Sequence, residues 1–259
     1  MIVAGIDIGH KSVNVVILQN DVMVGHATHF ISGEVGAAAK TALLKTLDQV
    51  EIAENQVHRL FATGVGREKI TFVDGYSTEM LAHALGAHRI FPAVRTVIDI
   101  GAEGSRVLRC DPTGNLTNFA LNDKCASGTG VFLETVAGML GVSLPEMGSL
   151  SLLSSKKIVL TATCAVFAES EIVAEIHRGS AKEDILRGVN ESIVSKIATT
   201  SKRVGVEPDL VLTGGVALNI GVVKALEEQL GMDIKVAETP EIVGAIGAAI
   251  MASNISGEG

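Results

Sequence analysis

A four-residue motif that occurs twice constrains the fold of this chain more than any other feature. The letters Ile-Asp-Ile-Gly stand at residues 6–9 and return about ninety residues later at 98–101. Each copy ends an apolar run, and a polar turn and a second apolar run follow it. An aspartate at a strand tip places a carboxylate in a loop, and the next glycine lets the backbone present N–H groups to an anion. The repetition predicts two similar halves that face one ligand, although Asp-Gly also ends many strands that bind nothing.

The order of predicted elements repeats in the same way, and it indicates an α/β protein. The first series has strands at 2–8, 13–18 and 22–26, a helix at 35–50, a strand at 59–62 and a helix at 77–87. The second has strands at 94–100, 105–109 and 116–121, a helix at 129–140, a serine-rich loop and a strand at 157–161. Helices at 164–178, 182–204, 221–230 and 241–252, with strands at 209–212 and 234–236, complete it. We expect domains at 1–93 and 94–259, with the C-terminal helix crossing back.

The amino-acid composition indicates which classes of partner the protein is expected to have and in which cellular compartment it is expected to lie. The chain has 259 residues, of which 47% are hydrophobic and 28 are glycine, and this favours close helix–sheet packing. The net charge is −8 and no block of basic residues occurs, so a nucleic-acid partner is not expected. The apolar runs are short or broken by glycine and no basic signal region stands at the start, so neither a membrane span nor export is expected. Three cysteines without tight pairing are typical of a reducing cytoplasm.

Four glycine-bearing turns are the candidate nucleotide loops. They lie at 9–12, 101–105, 213–216 and 244–247. The first two are expected to hold phosphates, and the last two to approach the base and the ribose. Neither a P-loop sequence nor a dinucleotide fingerprint after the first strand is present, and any single turn of this kind also occurs without a ligand. Asp7 and Asp99 would hold Mg²⁺ through water, since this ion keeps much of its hydration, and Lys11 would neutralise phosphate oxygens.

Two cysteines form the second candidate site. Cys125 and Cys164 each stand directly before a predicted helix, whose N-terminus stabilises a thiolate and so favours metal ligation. A [4Fe–4S] cluster usually takes four thiolates, and a twofold dimer would supply the other pair. The residues alone leave open that both are buried and act as small hydrophobic side chains. Cys110 is predicted to be structural, and the scattered histidines form no paired zinc motif.

Four segments together resemble a known family. They are NDKCASGTG at 122–130, TCAVFAESE at 163–171, TGGVA at 213–217 and GAIGAA at 244–249. The chain is similar over nearly its whole length to the BadF/BadG/BcrA/BcrD ATPases, which are activators of 2-hydroxyacyl-CoA dehydratases and ATP-hydrolysing subunits of benzoyl-CoA reductase. The resemblance implies a duplicated actin-like, sugar-kinase-like (ASKHA) fold. It also implies that Cys125 and Cys164 share one [4Fe–4S] cluster with a second copy or a homologous sibling.

The activity that the resemblance implies is ATP-driven electron transfer. ATP binding and hydrolysis would change the angle between subunits, and an electron from ferredoxin or flavodoxin would then pass from the cluster to the acyl-CoA dehydratase or reductase. The expected catalytic residues are Asp7, Asp99 and Glu103. The expected nucleotide-binding residues are Gly9, His10, Lys11, Ser12, Gly101, Ala102, Gly128, Thr129, Gly130, Thr213, Gly214, Gly215 and Gly244.

Both phosphate loops depart from the pattern of the activators. The chain has Gly-His-Lys at 9–11 where activators commonly have Gly-Ser-Thr, and Gly-Ala-Glu-Gly at 101–104 where they have Gly-Gly-Gln-Asp. The second change alters groups that would position water and metal, so it affects hydrolysis more than binding and favours a benzoyl-CoA-reductase-type subunit with a non-identical sibling. Two alternatives stay open: a small-molecule kinase of the same superfold, and a nucleotide-binding subunit that hydrolyses nothing.

Overall fold

The computed structural model describes residues 1–122, 128–161 and 164–254. The strands are β1 Ile2–Ile8, β2 Ser12–Gln19, β3 Val22–Phe30, β4 Arg59–Thr63, β5 Gly75–Tyr76, β6 Thr96–Ile100, β7 Ser105–Cys110, β8 Leu116–Asn122, β9 Leu210–Thr213 and β10 Ile234–Val236. The helices are α1 Val35–Gln49, α2 Glu79–Ile90, α3 Gly130–Leu140, α4 Leu144–Ser151, α5 Ala165–His177, α6 Lys182–Val204, α7 Ile220–Leu230 and α8 Val243–Asn254.

The chain divides into two compact units. The first contains Met1–Val94, Cys110–Thr117 and the C-terminal segment from Ala237 onward, whereas the second contains Arg95–Arg109 and the described part of Asn118–Val236. Helix α8 therefore packs with the N-terminal sheet and with α2, and it belongs to a different unit from α7 and β10. The division into two similar halves at residues 1–93 and 94–259, which was made from the sequence, stays a prediction.

The first unit is a mixed sheet covered on both faces. Its strand order is β3-β2-β1-β4-β5, with β1 antiparallel to β2 and parallel to β4. Every residue of β1 is buried, as its continuous apolar run predicts. Leu43 and Leu47 of α1 pack on one face, and Ala245 and Ala249 of α8 pack on the other.

Helix α8 packs unusually close to its neighbours because glycines line the contact. A Cβ atom on Gly5 of β1, on Gly86 of α2 or on Gly247 of α8 would collide with backbone of the facing element. The small side chains of α8 thus let α2 and β1 approach closely. This contact fixes Gly244, at the second position of α8, beside the end of β1.

The second unit repeats this architecture. Its sheet order is β10-β9-β6-β7-β8, and β6 is antiparallel to β7 and parallel to β9. Phe132 of α3, Ile193 of α6 and Leu226 of α7 belong to its hydrophobic core. The central strands β1 and β6 therefore have the same kinds of neighbour on each side.

Two sequence predictions in the second unit are wrong. The serine-rich loop contains helix α4, whose start is stabilised where Glu146 accepts a hydrogen bond from the Ser143 N–H at 3.1 Å. Residues 157–161 form no strand. Asp184 of α6 accepts bonds from the N–H groups of Ser155 and Lys156, both at 2.8 Å, and this directs the following residues along α6 and away from a strand partner.

The remaining elements predicted from the sequence are confirmed with small shifts at their ends. Helix α6 begins and ends at the predicted residues, whereas the two-residue strand β5 and several short 3-10 turns of the described residues were not predicted. Among the described residues, no helix combines the length and the apolar character that a membrane crossing requires.

Candidate functional site

The two predicted phosphate loops are built in the same way. In the β1–β2 hairpin the N–H of Gly9 donates to the carbonyl of Ser12 at 2.9 Å, and in the β6–β7 hairpin the N–H of Gly101 donates to the carbonyl of Gly104 at 2.9 Å. Each glycine thus closes a tight turn directly after its aspartate-bearing strand. His10 lies exposed at the tip of the first loop.

Asp7 lies at the end of β1 in a narrow space between two glycines. Its exposed fraction is 8%. A Cβ atom on Gly64 would stand 2.5 Å from Asp7 Oδ1, and one on Gly244 would stand even closer to Oδ2. Nε2 of the buried His83 in α2 is 4.0 Å from Oδ2. The predicted role of Gly244 in nucleotide binding is untested, but the structure shows that this glycine makes room for the Asp7 carboxylate.

Asp99 occupies the equivalent place in the second unit, and its exposed fraction is 2%. Strand β7 places Arg106 opposite it and strand β9 places Thr213 opposite it. Arg106 Nη1 donates to Asp99 Oδ2 at 2.5 Å, and the Thr213 hydroxyl donates to Oδ1 at 3.2 Å. Both neighbouring strands therefore fix the orientation of this carboxylate.

A Thr-Gly pair follows the parallel neighbour of each central strand. Thr63 is paired with Asp7 as Thr213 is paired with Asp99. Gly64 and Gly214 have left-handed φ angles of +89° and +83°, which glycine adopts without strain. Sequence reasoning included Thr213 and Gly214 but missed Thr63 and Gly64, although the same dipeptide at both places was the signal.

The two threonines differ in their hydrogen bonds. The Thr63 hydroxyl is buried and has no hydrogen-bond partner among the described residues, whereas the Thr213 hydroxyl donates to Asp99. A buried hydroxyl without a partner is costly, so Thr63 is a position where a bound ligand or water would make a bond.

The start of α3 supports the second loop. The N–H groups of Gly130 and Val131 donate to the carbonyls of Gly101 and Ala102, each at 2.9 Å. Gly128 and Thr129 are buried just before this helix. The structure thus brings the predicted residues Gly130 and Ala102 together, and it uses helix N–H groups to hold the loop. Gly215, in contrast, is exposed, and the space around it is open.

The cysteine site is described for one of its two members. Cys164 is exposed and stands at the N-cap of α5, whereas Cys125 lies outside the described residues. Val166 and Phe167, in the first turn of α5, are also exposed, the latter at 68%. Cys110 is buried, which agrees with the structural role that the sequence predicts.

The described residues of this chain contain no group of three or more histidine, cysteine or acidic side chains placed to hold a metal. Cys164 thus presents an accessible sulfur beside exposed apolar side chains. Glu171 lies in the next turn of α5, where its carboxylate accepts hydrogen bonds from the N–H and the hydroxyl of Thr161.

Comparison with known proteins decides the family. Residues 4–252 match the BadF/BadG/BcrA/BcrD ATPase family. The chain belongs to this ATPase family. It is 36% identical to the activator of the 2-hydroxyisocaproyl-CoA dehydratase from Clostridium difficile, whose structure was solved with bound ADPNP. The two structures match with a TM-score of 0.93 over 98% of this chain and 95% of that one.

Two further matches bear on function and fold. A benzoyl-CoA reductase subunit of Thauera aromatica is 34% identical over 263 aligned residues, which cover 96% of this chain and 92% of that protein. A ROK family glucokinase from Streptomyces griseus matches with a TM-score of 0.60 at 12% identity, covering 98% of this chain and 100% of the kinase. This likeness shows the fold alone, and the predicted duplicated actin-like, sugar-kinase-like class is confirmed.

Proposed function

We propose that this member of the ATPase family is an ATP-driven electron-transfer activator of an acyl-CoA dehydratase or reductase. The observation that carries the proposal is the repeated aspartate at a strand tip with a Thr-Gly turn beside it, in a chain whose relatives are named as dehydratase activators and as a benzoyl-CoA reductase subunit. A relative of 36% identity has ADPNP bound, which supports ATP as the nucleotide.

The proposed ATP site uses residues of both phosphate loops. Asp7 would hold Mg²⁺ through water, because its carboxylate lies at the tip of β1 beside the first phosphate loop and this ion keeps much of its hydration. Lys11 and Ser12 would contact phosphate oxygens in the first loop. The exposed Glu103 would orient the water that attacks the γ-phosphate, releasing ADP and phosphate.

The proposed cluster site combines Cys125 and Cys164 with the same pair from a second subunit, either a copy or a homologous sibling. Four thiolates satisfy a [4Fe–4S] cluster, which when bound passes single electrons from a ferredoxin-type or flavodoxin-type donor to the partner enzyme. Exposed Val166 and Phe167 would be covered by the second subunit. Cys164 lies at the start of α5, so a movement of this helix would alter the surroundings of the Cys164 sulfur.

Iron analysis tests the proposal most directly. Anaerobically purified protein should contain about four iron atoms per dimer. The Cys164→Ser variant should lose this iron, whereas the matched variant Cys110→Ser should retain it, because Cys110 is buried in the first unit. Iron that persists in Cys164→Ser, or that runs with a monomer, would refute the shared site.

ATP turnover separates the proposal from its alternatives. Turnover with electron delivery to a dehydratase or reductase supports the activator. A colourless protein that transfers the γ-phosphate to a small molecule would instead be a kinase. Tight ATP binding without turnover, with and without partner, would indicate a regulatory subunit, the alternative that Glu103 and Gly104 favour.

A further inference from the structure

We propose, on the basis of the nucleotide-binding function above, that Arg106 supplies the fixed positive charge of the second phosphate loop. Asp99 is then a positioning residue that orients the guanidinium and does not bind Mg²⁺. The divalent ion belongs to Asp7 alone. The two equivalent aspartates thus have different tasks in one reaction.

The geometry around Asp99 carries the first step. Its Oδ2 accepts a hydrogen bond from Nη1 of Arg106 at 2.5 Å, and its Oδ1 accepts one from the Thr213 hydroxyl at 3.2 Å. The side chains of Asp99 and Arg106 are 3% and 12% exposed, so water competes little with this pair. A metal ion at Asp99 would have to displace a buried cation that the β6–β7 register has already placed there.

The direction of the guanidinium carries the second step. A Cβ atom built on Gly104 would have Arg106 Nη2 at 3.9 Å, so this end of the fork lies beside the second loop. Gly104 itself offers no side chain that would fill the space. A planar guanidinium presents N–H donors in a geometry that matches phosphate oxygens, and a carboxylate behind it fixes the plane.

The first unit shows what the same position does without an arginine. Asn14 stands opposite Asp7 on β2, as Arg106 stands opposite Asp99 on β7. Its amide oxygen accepts a hydrogen bond from the Thr28 hydroxyl at 2.9 Å, so the facing group is neutral and already oriented away. Strand β2 therefore brings no charge to Asp7 at this position, and the basic group recorded beside Asp7 is His83 of α2, at 4.0 Å from Oδ2.

Nucleotide affinity with and without Mg²⁺ tests the assignment. Isothermal titration of the anaerobically purified full chain with ATP is carried out in excess Mg²⁺ and in EDTA. Wild type must bind ATP in Mg²⁺; if it does not, the proposed function fails before Arg106 is tested. Arg106→Gln should weaken affinity about tenfold or more in both media, since the lost contact needs no metal. Asp7→Asn should weaken binding only in Mg²⁺.

A matched control and a double variant exclude a merely structural ion pair. Arg109 lies on the same strand as Arg106 and forms an ion pair with Glu207. The variant Arg109→Gln should leave the ATP affinity unchanged both in Mg²⁺ and in EDTA. If Arg106 only neutralises Asp99, the double variant Asp99→Asn with Arg106→Gln will bind ATP like wild type, which overturns the proposal. We expect the double variant to bind as weakly as Arg106→Gln alone.

The conservative variant protects the test against misfolding. Arg106→Lys keeps the charge but loses the planar fork, so it should retain part of the metal-independent affinity. Thermal melting establishes which variants fold. Unchanged affinity in EDTA for a folded Arg106→Gln or Arg106→Lys protein would refute the role of the guanidinium.

Discussion

Replacing Gly214 by alanine should destabilise the second unit and disturb Asp99. Gly214 has φ +83°, and a Cβ atom there would stand 2.7 Å from Asp99 Oδ1 and 2.9 Å from the Ile100 carbonyl carbon. With ψ at 169°, this backbone conformation is one that essentially only glycine adopts, and it alone costs an alanine about 1–3 kcal/mol. The contacts with Asp99 and Ile100 add an overpacking cost of about 1–3 kcal/mol, because backbone and a buried carboxylate must both shift.

The expected loss of about 2–6 kcal/mol is large beside a typical domain stability of about 5–15 kcal/mol. It corresponds to a fall in Tm of about 4–24 °C for a unit of this size. Urea unfolding followed by circular dichroism measures the change in the free energy of unfolding. The control is Gly215→Ala, at the next position of the same turn, where a Cβ atom meets nothing within 4 Å. Equal stability of the two variants would refute the reasoning.

Three further predictions follow from single side chains. Thr63→Val should keep or raise the free energy of unfolding, because the buried hydroxyl has no hydrogen-bond partner among the described residues. The same variant should bind ATP more weakly if the hydroxyl contacts the ligand. Urea unfolding measures the first effect and calorimetry measures the second. Glu103→Gln should preserve ATP affinity but change steady-state turnover, and indifferent turnover would assign the attacking water to another residue. The pKa of Asp184 lies below its usual value because the carboxylate accepts hydrogen bonds from the Lys156 N–H and from Ser154 and Ser155. A carboxylate whose pKa is lower in the folded than in the unfolded protein stabilises the fold at pH values above its unfolded pKa, and this stabilisation is lost as the pH falls through its folded pKa. The Asp184→Asn variant should therefore have a lower urea midpoint than wild type at about pH 7, and its urea midpoint should fall less between about pH 7 and about pH 3.

Regular elements with a clear apolar pattern were predictable from the sequence. The unbroken run of β1 and the long periodic helix α6 leave few alternatives, and both form where expected. Helix α4 was missed because it has only eight residues, and these include serine and glycine. Its start is marked by a local capping pattern, in which Glu146 follows Ser143 by three positions. The apolar run Ile-Val-Leu at 158–160 is typical of a strand, but a strand also needs a partner, and the hydrogen bond from the Lys156 N–H to Asp184 ties the start of this segment to α6.

The site was predictable only as far as residue types identify it. Asp7, Asp99 and the glycines after them stand out in the sequence, whereas the partner of each aspartate depends on strand register. Register follows from the length of the hairpin turn, and neither turn length nor pairing is visible in a list of residues. For this reason Arg106 was not among the predicted site residues, although it donates a hydrogen bond of 2.5 Å to Asp99.

The internal repeat predicts equal halves, and strand register shows how equal backbones acquire unequal chemistry. Both units place an aspartate at the end of a central strand, a Thr-Gly turn on the parallel side and a tight hairpin on the antiparallel side. One position on the antiparallel neighbour differs, with Asn14 in the first unit and Arg106 in the second. Arg106 therefore gives Asp99 a guanidinium partner from the neighbouring strand, whereas the same strand position beside Asp7 carries a neutral amide. In the proposed ATP site, the first unit would bring the aspartate that holds hydrated Mg²⁺ and the second unit would bring the fixed positive charge of Arg106, and the two would differ through this one side chain.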